Sequence, residues 1–238
     1  MGEHTVASFD EELEHIDRLI RDMDELAAAM VAASIRALLA SDNAMAQRVV
    51  SDDAIMDARQ RELDDSAITL IAKRQPMAQD LRAVVGAIRM AGDLERIGDL
   101  AKNIAKRVSA VGQSTTPRNL SHGIDAMADL VLEQLRGVVE HYVSRNAGAL
   151  KELRADDQKI DVKYTAVFRE LLTYMMEDPR NITFCTHLLF CAKNIERIGD
   201  HATNIAEMLH YLITGTPLTE ERPKQDTTSL TSVGYKQS

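Results

Sequence analysis

The sequence predicts an all-α protein: two tandem three-helix bundles, six long antiparallel helices related by an internal repeat. Three observations carry this expectation. Hydrophobic residues make up 45% of the 238-residue chain but aromatic ones only 4%, with no Trp, and the dominance of Ala, Leu, Met, Glu, Asp and Arg favours helices over sheets. Between five prolines the apolar residues recur at spacings of three and four, the period of an amphipathic helix. Finally, ERIGDLAKNIA at 95–105 returns as ERIGDHATNIA at 196–206, with Gly and Asn at positions that helicity alone would not choose.

The first helix is expected over 8–40, with LAAAMVAASI as its apolar middle, and it ends at the turn residues Asp42-Asn43. A second helix over 44–74 stops before Pro76, and a third runs over 79–110, because proline breaks helix interiors. GQSTTP at 112–117 reads as a linker. The fourth helix, over 119–145, ends near Asn146, and the fifth runs over 149–176. Asp178 as N-cap and Pro179 at the first helical position open the sixth, over 180–213. Aligning Asp42 with Asn146 and Asp57 with Asp161 sets an offset of 104, whereas the ERIGD phrases lie 101 apart, so the second hairpin is three residues shorter. The expected organisation is a first bundle at 1–111, the linker, a second bundle at 118–215, and a polar tail at 216–238 that reads as disordered.

Composition also excludes. A net charge of −9 argues against nucleic acid as a partner, since that role needs clustered cations. Glu3, Asp10, Glu11 and Glu12 are foreign to a secretory leader, and LAAAMVAASI is too short to span a bilayer. A cytoplasmic protein without direct membrane insertion is expected. Cys185 and Cys191, six apart on an apolar helical pattern, read as buried reduced thiols.

The repeated phrase places acids at helical spacing. Glu95, Asp99 and Asn103 lie on one stripe of the third helix, as do Glu196, Asp200 and Asn204 on the sixth. Towards the N-terminus both stripes turn apolar. The preceding helices carry Asp53 and Asp57, and Asp157 and Asp161, again four apart. Short turns make each helix pair antiparallel, so residues equidistant from the turn meet. With centres at Pro76 and between Asp178 and Pro179, the pairs are Asp57 with Glu95, Asp53 with Asp99, Asp161 with Glu196 and Asp157 with Asp200.

Four carboxylates on one patch repel, by about 4 kcal/mol per close pair at an effective dielectric of 20, unless they hold protons or a cation. The oxygen set, with an amide beside it, suits iron, manganese, magnesium or calcium, and zinc less readily. Gly98 and Gly199 keep the position between the acids small. A single DxxxD is ordinarily a solvated helix face; two hairpins in matched register point to metal. The ExxH pair of di-iron bundles is missing from both ERIGD helices, so oxygen activation is not indicated. His201 reads as a surface residue, and His187 lies half a turn from Glu196.

With RQPMAQDLR at 74–82, LERIGDLAKNIAKR at 94–107 and the four acidic pairs, the chain resembles the PhoU family of phosphate-uptake regulators over nearly its whole length to about residue 213. The second turn, MMEDPRNIT, lacks the RQP signature, which leaves room for two unequal sites. The resemblance implies multinuclear iron or zinc clusters on the acidic pairs. It also implies a cytoplasmic negative regulator of the phosphate-starvation response, linking the ATPase subunit of the phosphate ABC transporter to a sensor histidine kinase. We expect a homodimer and no enzymatic activity, since no nucleophile or general base accompanies the acids. The alternatives are a metal-dependent hydrolase or phosphatase, with carboxylate-bound metal activating water, and a purely structural scaffold.

Overall fold

The computed structural model describes residues 2–111, 118–144, 150–216 and 226–228. All six expected long helices form: α1 (Gly2–Ala40), α2 (Asn43–Arg74), α3 (Gln79–Ala105), then, after the one-turn α4 (Val108–Val111), α5 (Arg118–Ser144), α6 (Leu150–Glu177) and α7 (Ile182–Thr214). No β-strand occurs among the described residues. Helices α1, α2 and α3 pack on one another, and so do α5, α6 and α7; α3 against α7 and α1 against α5 join the halves. No helix among the described residues is long and apolar enough to cross a membrane.

The turns form where the punctuation placed them. The Asp42 side chain accepts from the backbone N–H of Met45 at 2.9 Å, satisfying one of the donors that every helix start leaves orphaned. Gln75 closes α2 in the left-handed region, φ 50°, donating to the carbonyl of Ile71. Asp178 accepts from Arg180 N–H, with Pro179 opening a single 3₁₀ turn before α7 starts at Ile182. The expected linker at 112–117, the break at Asn146 and most of the expected disordered tail lie outside the described residues. Within that tail, Asp226–Thr228 is placed against the second half: Thr227 N–H donates to Thr165 Oγ1 at 3.4 Å.

Two boundaries differ from expectation. Helix α1 begins at Gly2 rather than near residue 8. The third helix does not run to 110 but breaks at Lys106-Arg107. The break turns Arg107 onto α7, its guanidinium 4.2 Å from the centre of the Phe190 ring and 3.2 Å from His187 Nδ1, while Val108 and Val111 stay buried.

The core runs unbroken through both halves. Met23, Met30, Met56, Met90, Leu94 and Ile97 are all under 2% exposed. Along the α3–α7 seam, Gly86 lies so close to Leu212 that an added Cβ would fall 2.5 Å from its Cδ2. His201 Nδ1 lies 2.8 Å from Asp93 Oδ1 across the same seam, which makes the histidine a partner between halves rather than a free surface residue. Both cysteines are buried, and burial pushes the Cys191 thiol up to about 12, which disfavours the reactive thiolate.

One acid sits in this core. Asp24 of α1 is 7% exposed, in a pocket that includes Met90 and Leu94 of α3 and Val138 and Tyr142 of α5. Burial first, and Glu25 second, raise its pKa from 3.8 to about 7. An acid whose pKa is raised by folding favours the folded state while protonated and opposes it once ionised. Stability is therefore expected to fall as pH rises from about 4 to 7. Asp24→Asn should remove that slope and stabilise the protein at pH 8 by up to roughly 4 kcal/mol, measured by denaturant unfolding across the pH range.

Candidate metal centre in two acidic hairpins

The first hairpin brings its four acids to one face. Lys102 Nζ donates to Asp53 Oδ2 of α2 at 2.7 Å and to Asp99 Oδ1 of α3 at 2.6 Å, so the expected Asp53–Asp99 pair meets at a single nitrogen. Glu95 has its pKa raised by burial first and then by Asp99, with Asp57 and Asp53 adding to it and Arg96 opposing. Both expected pairs of this hairpin are thus in electrostatic contact. Burial opposes the charge on Lys102, but its hydrogen bonds to Asp53 and Asp99 more than offset that and hold its pKa above the usual lysine range.

In the second hairpin the acids sit deeper. Asp157, Asp161 and Glu196 are 3%, 1% and 2% exposed. Asp200 is half-buried. A Cβ on Gly199 would stand 3.7 Å from Asp157 Oδ1, which places Asp157 beside the turn of α7 that carries Glu196 and Asp200. Lys193 Nζ donates to Glu196 Oε1 at 2.8 Å and to Asp226 Oδ2 at 3.2 Å, and lies 4.8 Å from the centre of the Tyr164 ring.

The two asparagines differ in their surroundings. Asn103 is exposed, and Asn204 donates to Asp93 on α3 at 3.4 Å. The side chain that follows each ERIGD phrase onto the acids is three residues after the aspartate, not four: Lys102 in the first half and Thr203 in the second. Thr203 Oγ1 donates to Asp157 Oδ1 at 3.4 Å and receives Gln134 Nε2 at 2.8 Å; the same amide lies 3.3 Å from the carbonyl of Leu153. Gln134 was legible as the one polar residue on the apolar stripe of Ile124, Met127, Val131 and Val138. Where it packs over Gly199, with Ile160, the first half has Met30 and Met56 over Gly98.

The donor set fits a hard cation. Each hairpin gathers carboxylates from two helices, and in each a lysine ammonium already bonds one or two of them. As the side chains stand, no three His, Cys, Asp or Glu among the described residues converge to hold a metal ion; a metal would draw carboxylates away from those lysines. The residues that could hold it are Asp53, Asp57, Glu95 and Asp99 in one hairpin and Asp157, Asp161, Glu196 and Asp200 in the other.

The PhoU domain matches this chain twice, over residues 20–108 and 124–209, once for each half. The chain belongs to the PhoU family. A Rhizobium meliloti protein, the phosphate-specific transport system accessory protein PhoU homolog, is 58% identical over 226 residues, covering 95% of each chain. The Caulobacter vibrioides protein of the same description is 46% identical over 229 residues, 96% of this chain and 100% of its own. The crystal structure of PhoU from Pseudomonas aeruginosa superposes with a TM-score of 0.83 at 32% identity, over 87% of this chain and 100% of that one. The PhoU structure from Streptococcus pneumoniae does so at 0.82 with 26% identity, over 89% and 100%. The Rhizobium meliloti and Caulobacter vibrioides relatives are named as accessory proteins and the Streptococcus pneumoniae one as a regulatory protein of a phosphate transport system, not as enzymes, which bears out the non-enzymatic expectation.

Lys102 is expected to be worth most in metal-free protein. Lys102→Met leaves Asp53 and Asp99 facing one another and should cost about 1–3 kcal/mol at neutral pH. Chelator-treated wild type and variant compared by urea unfolding at pH 7 would check the size of the loss.

Proposed function

We propose that this chain is a cytoplasmic accessory regulator of phosphate uptake that holds the phosphate-starvation response off when phosphate is plentiful. It links the phosphate ABC transporter, through the ATPase subunit, to a sensor histidine kinase, and it works as a homodimer whose acidic hairpins hold metal ions. The observation that carries this reading is the coincidence of two features in one chain. A PhoU match runs through both halves, and each half presents acids from two antiparallel helices in the same register.

The metal part rests on charge. Carboxylates this buried are stable as anions only beside cations or strong donors, and oxygen donors of this kind select iron, manganese or magnesium, with zinc tolerated. Bound there, an ion would supply charge neutralisation that ties α2 to α3 and α6 to α7. The adaptor part rests on the relatives, which are named for the phosphate-specific transport system. The long helix faces, which offer apolar and charged surface together, are the docking elements in this reading.

Two outcomes are expected. Deleting the gene should switch on phosphate-starvation genes in phosphate-rich medium; normal repression in the deletion strain would remove the regulatory assignment. In the purified protein, EDTA should lower the melting temperature, and added divalent or ferric ion should restore it by mass action. Asp99→Asn with Asp200→Asn should shrink that response, and an unchanged response would place the metal elsewhere.

A further inference from the structure

Helices α3 and α7 leave an open groove of about 1010 Å³ along their seam. Arg82, Val85, Arg89, Gly92 and Arg96 line its α3 side at alternating spacings of three and four, the spacing at which one helix meets another in a coiled coil. Half-buried Met208 and Tyr211 stand on the α7 side, and Leu81 and Val85 are each 38% exposed. Two features set this stripe apart from a solvated flank. The first is charge: all three arginines fall on one heptad position, seven residues apart, in a chain whose net charge is −9. Among the described residues Arg82 and Arg89 form no ion pair, whereas Arg96, 61% exposed, reaches Glu95 at 3.6 Å and Asp99 at 3.4 Å. The acids lining the groove are Asp93, which His201 and Asn204 hold, and Glu207 on the α7 side. The second feature is Gly92. Glycine weakens a helix interior, yet a Cβ at Gly92 would have nothing within 4 Å, while Gly86 and Gly98 of the same helix admit Leu212 and Met56. Among the described residues nothing fills the space that Gly92 leaves.

We propose that this groove receives an acidic amphipathic α-helix of a partner protein. That helix sets Asp or Glu residues seven apart against Arg82, Arg89 and Arg96, and a bulky apolar side chain into the space over Gly92. This deepens the adaptor reading above and rests on it for the existence of a protein partner. Guanidinium forks match carboxylates two bonds at a time, and charge of one sign along one wall fixes the register of the incoming helix. Leu81, Val85, Met208 and Tyr211 supply the apolar area that a helix laid in a groove buries. From Arg82 to Arg96 the stripe runs about 21 Å at 1.5 Å per residue, so four turns of a partner helix cover it. A bare polyanion would leave that apolar lining uncovered and would meet Glu207, which is why the chemistry favours a helix with acids on one edge only.

The test places the photo-crosslinking residue p-benzoylphenylalanine at position 85 of the full-length chain, in cells grown in phosphate-rich medium, and sequences the adduct. Position 55, where Ile55 is 50% exposed on α2, serves as the control. The adduct from position 85 is expected to map to another protein, on a helical segment with acids at seven-residue spacing, and position 55 should not give it. An adduct to a second copy of this chain, to its own residues 217–238 or to a segment without such acids overturns the proposal. So does the absence of any adduct at position 85. In the same cells Gly92→Leu and Arg89→Glu should each raise expression of phosphate-starvation genes at least tenfold. Gly92→Ala and Arg61→Glu, the latter at an exposed place on α2, should change it no more than twofold. Exchanging the facing acid of the mapped segment for Arg should restore repression to the Arg89→Glu strain, and no restoration overturns the pairing. Because a Cβ at Gly92 meets nothing, purified Gly92→Leu should melt no lower than wild type; if it does melt lower, Arg89→Glu alone carries the repression measurement. Normal repression in both groove variants overturns the proposal and leaves the adaptor reading in place. Normal repression in the deletion strain removes the adaptor reading, and the adduct at position 85 then decides the groove by itself.

Discussion

Carboxylates withdrawn from water must meet positive charge, and both hairpins are arranged around that requirement. A carboxylate on a helix face ordinarily keeps its hydration, and its neighbour four residues on does the same. Here the acids of α2 are turned to those of α3, and the acids of α6 to those of α7, where hydration is reduced and mutual repulsion grows. The arrangement persists because charge and donors are built in: Lys102 between Asp53 and Asp99, Lys193 on Glu196, and the hydroxyl of Thr203 on Asp157. Small residues at Gly98 and Gly199 allow Met56 and Ile160 of the facing helices to pack into the same turn. Apolar packing and polar pairing thus fix the same register within each hairpin.

The two halves have diverged around this shared plan. The first hairpin is shallower and packs methionines on its glycine, whereas the second buries three of its acids and uses an amide–hydroxyl relay from Gln134 through Thr203. A buried polar relay narrows the geometries a site can adopt, because each member loses a partner if it moves. Methionine, with its flexible thioether, imposes no such restriction. Repetition of the sequence phrase therefore does not imply repetition of the chemistry.

Much of this was legible in the sequence, for identifiable reasons. Helix existence and the antiparallel register followed from apolar spacing and from Pro76 and Asp178-Pro179, since turns fix which residues face each other across a hairpin. The break at Lys106-Arg107 escaped because Ile104, Ala105, Val108 and Val111 continue the helical period straight through it; the contact that accompanies it, of Arg107 with Phe190 and His187 of α7, is long-range and invisible locally. Asn103 and Asn204 were placed with the acids by following the four-residue stripe. That stripe drifts by about 40° each step, and the three-residue alternative led instead to Lys102 and Thr203. Nothing in local pattern separates a lysine that bridges two helices from one on a solvated flank. Asp226 was beyond reach for a similar reason, because a polar tail gives no sign of where it docks.

The contact of Gly86 with Leu212 has a mechanical meaning. With no side chain on α3 at that point, the leucine of α7 fits against bare backbone, as a key fits a slot, while Asp93 meets His201 a few turns along. Two such engagements on one seam resist sliding of α7 along α3, the shear that packed helices use most readily. Any influence of one acidic hairpin on the other must then travel as a small rotation about the seam or as a change of side-chain rotamers.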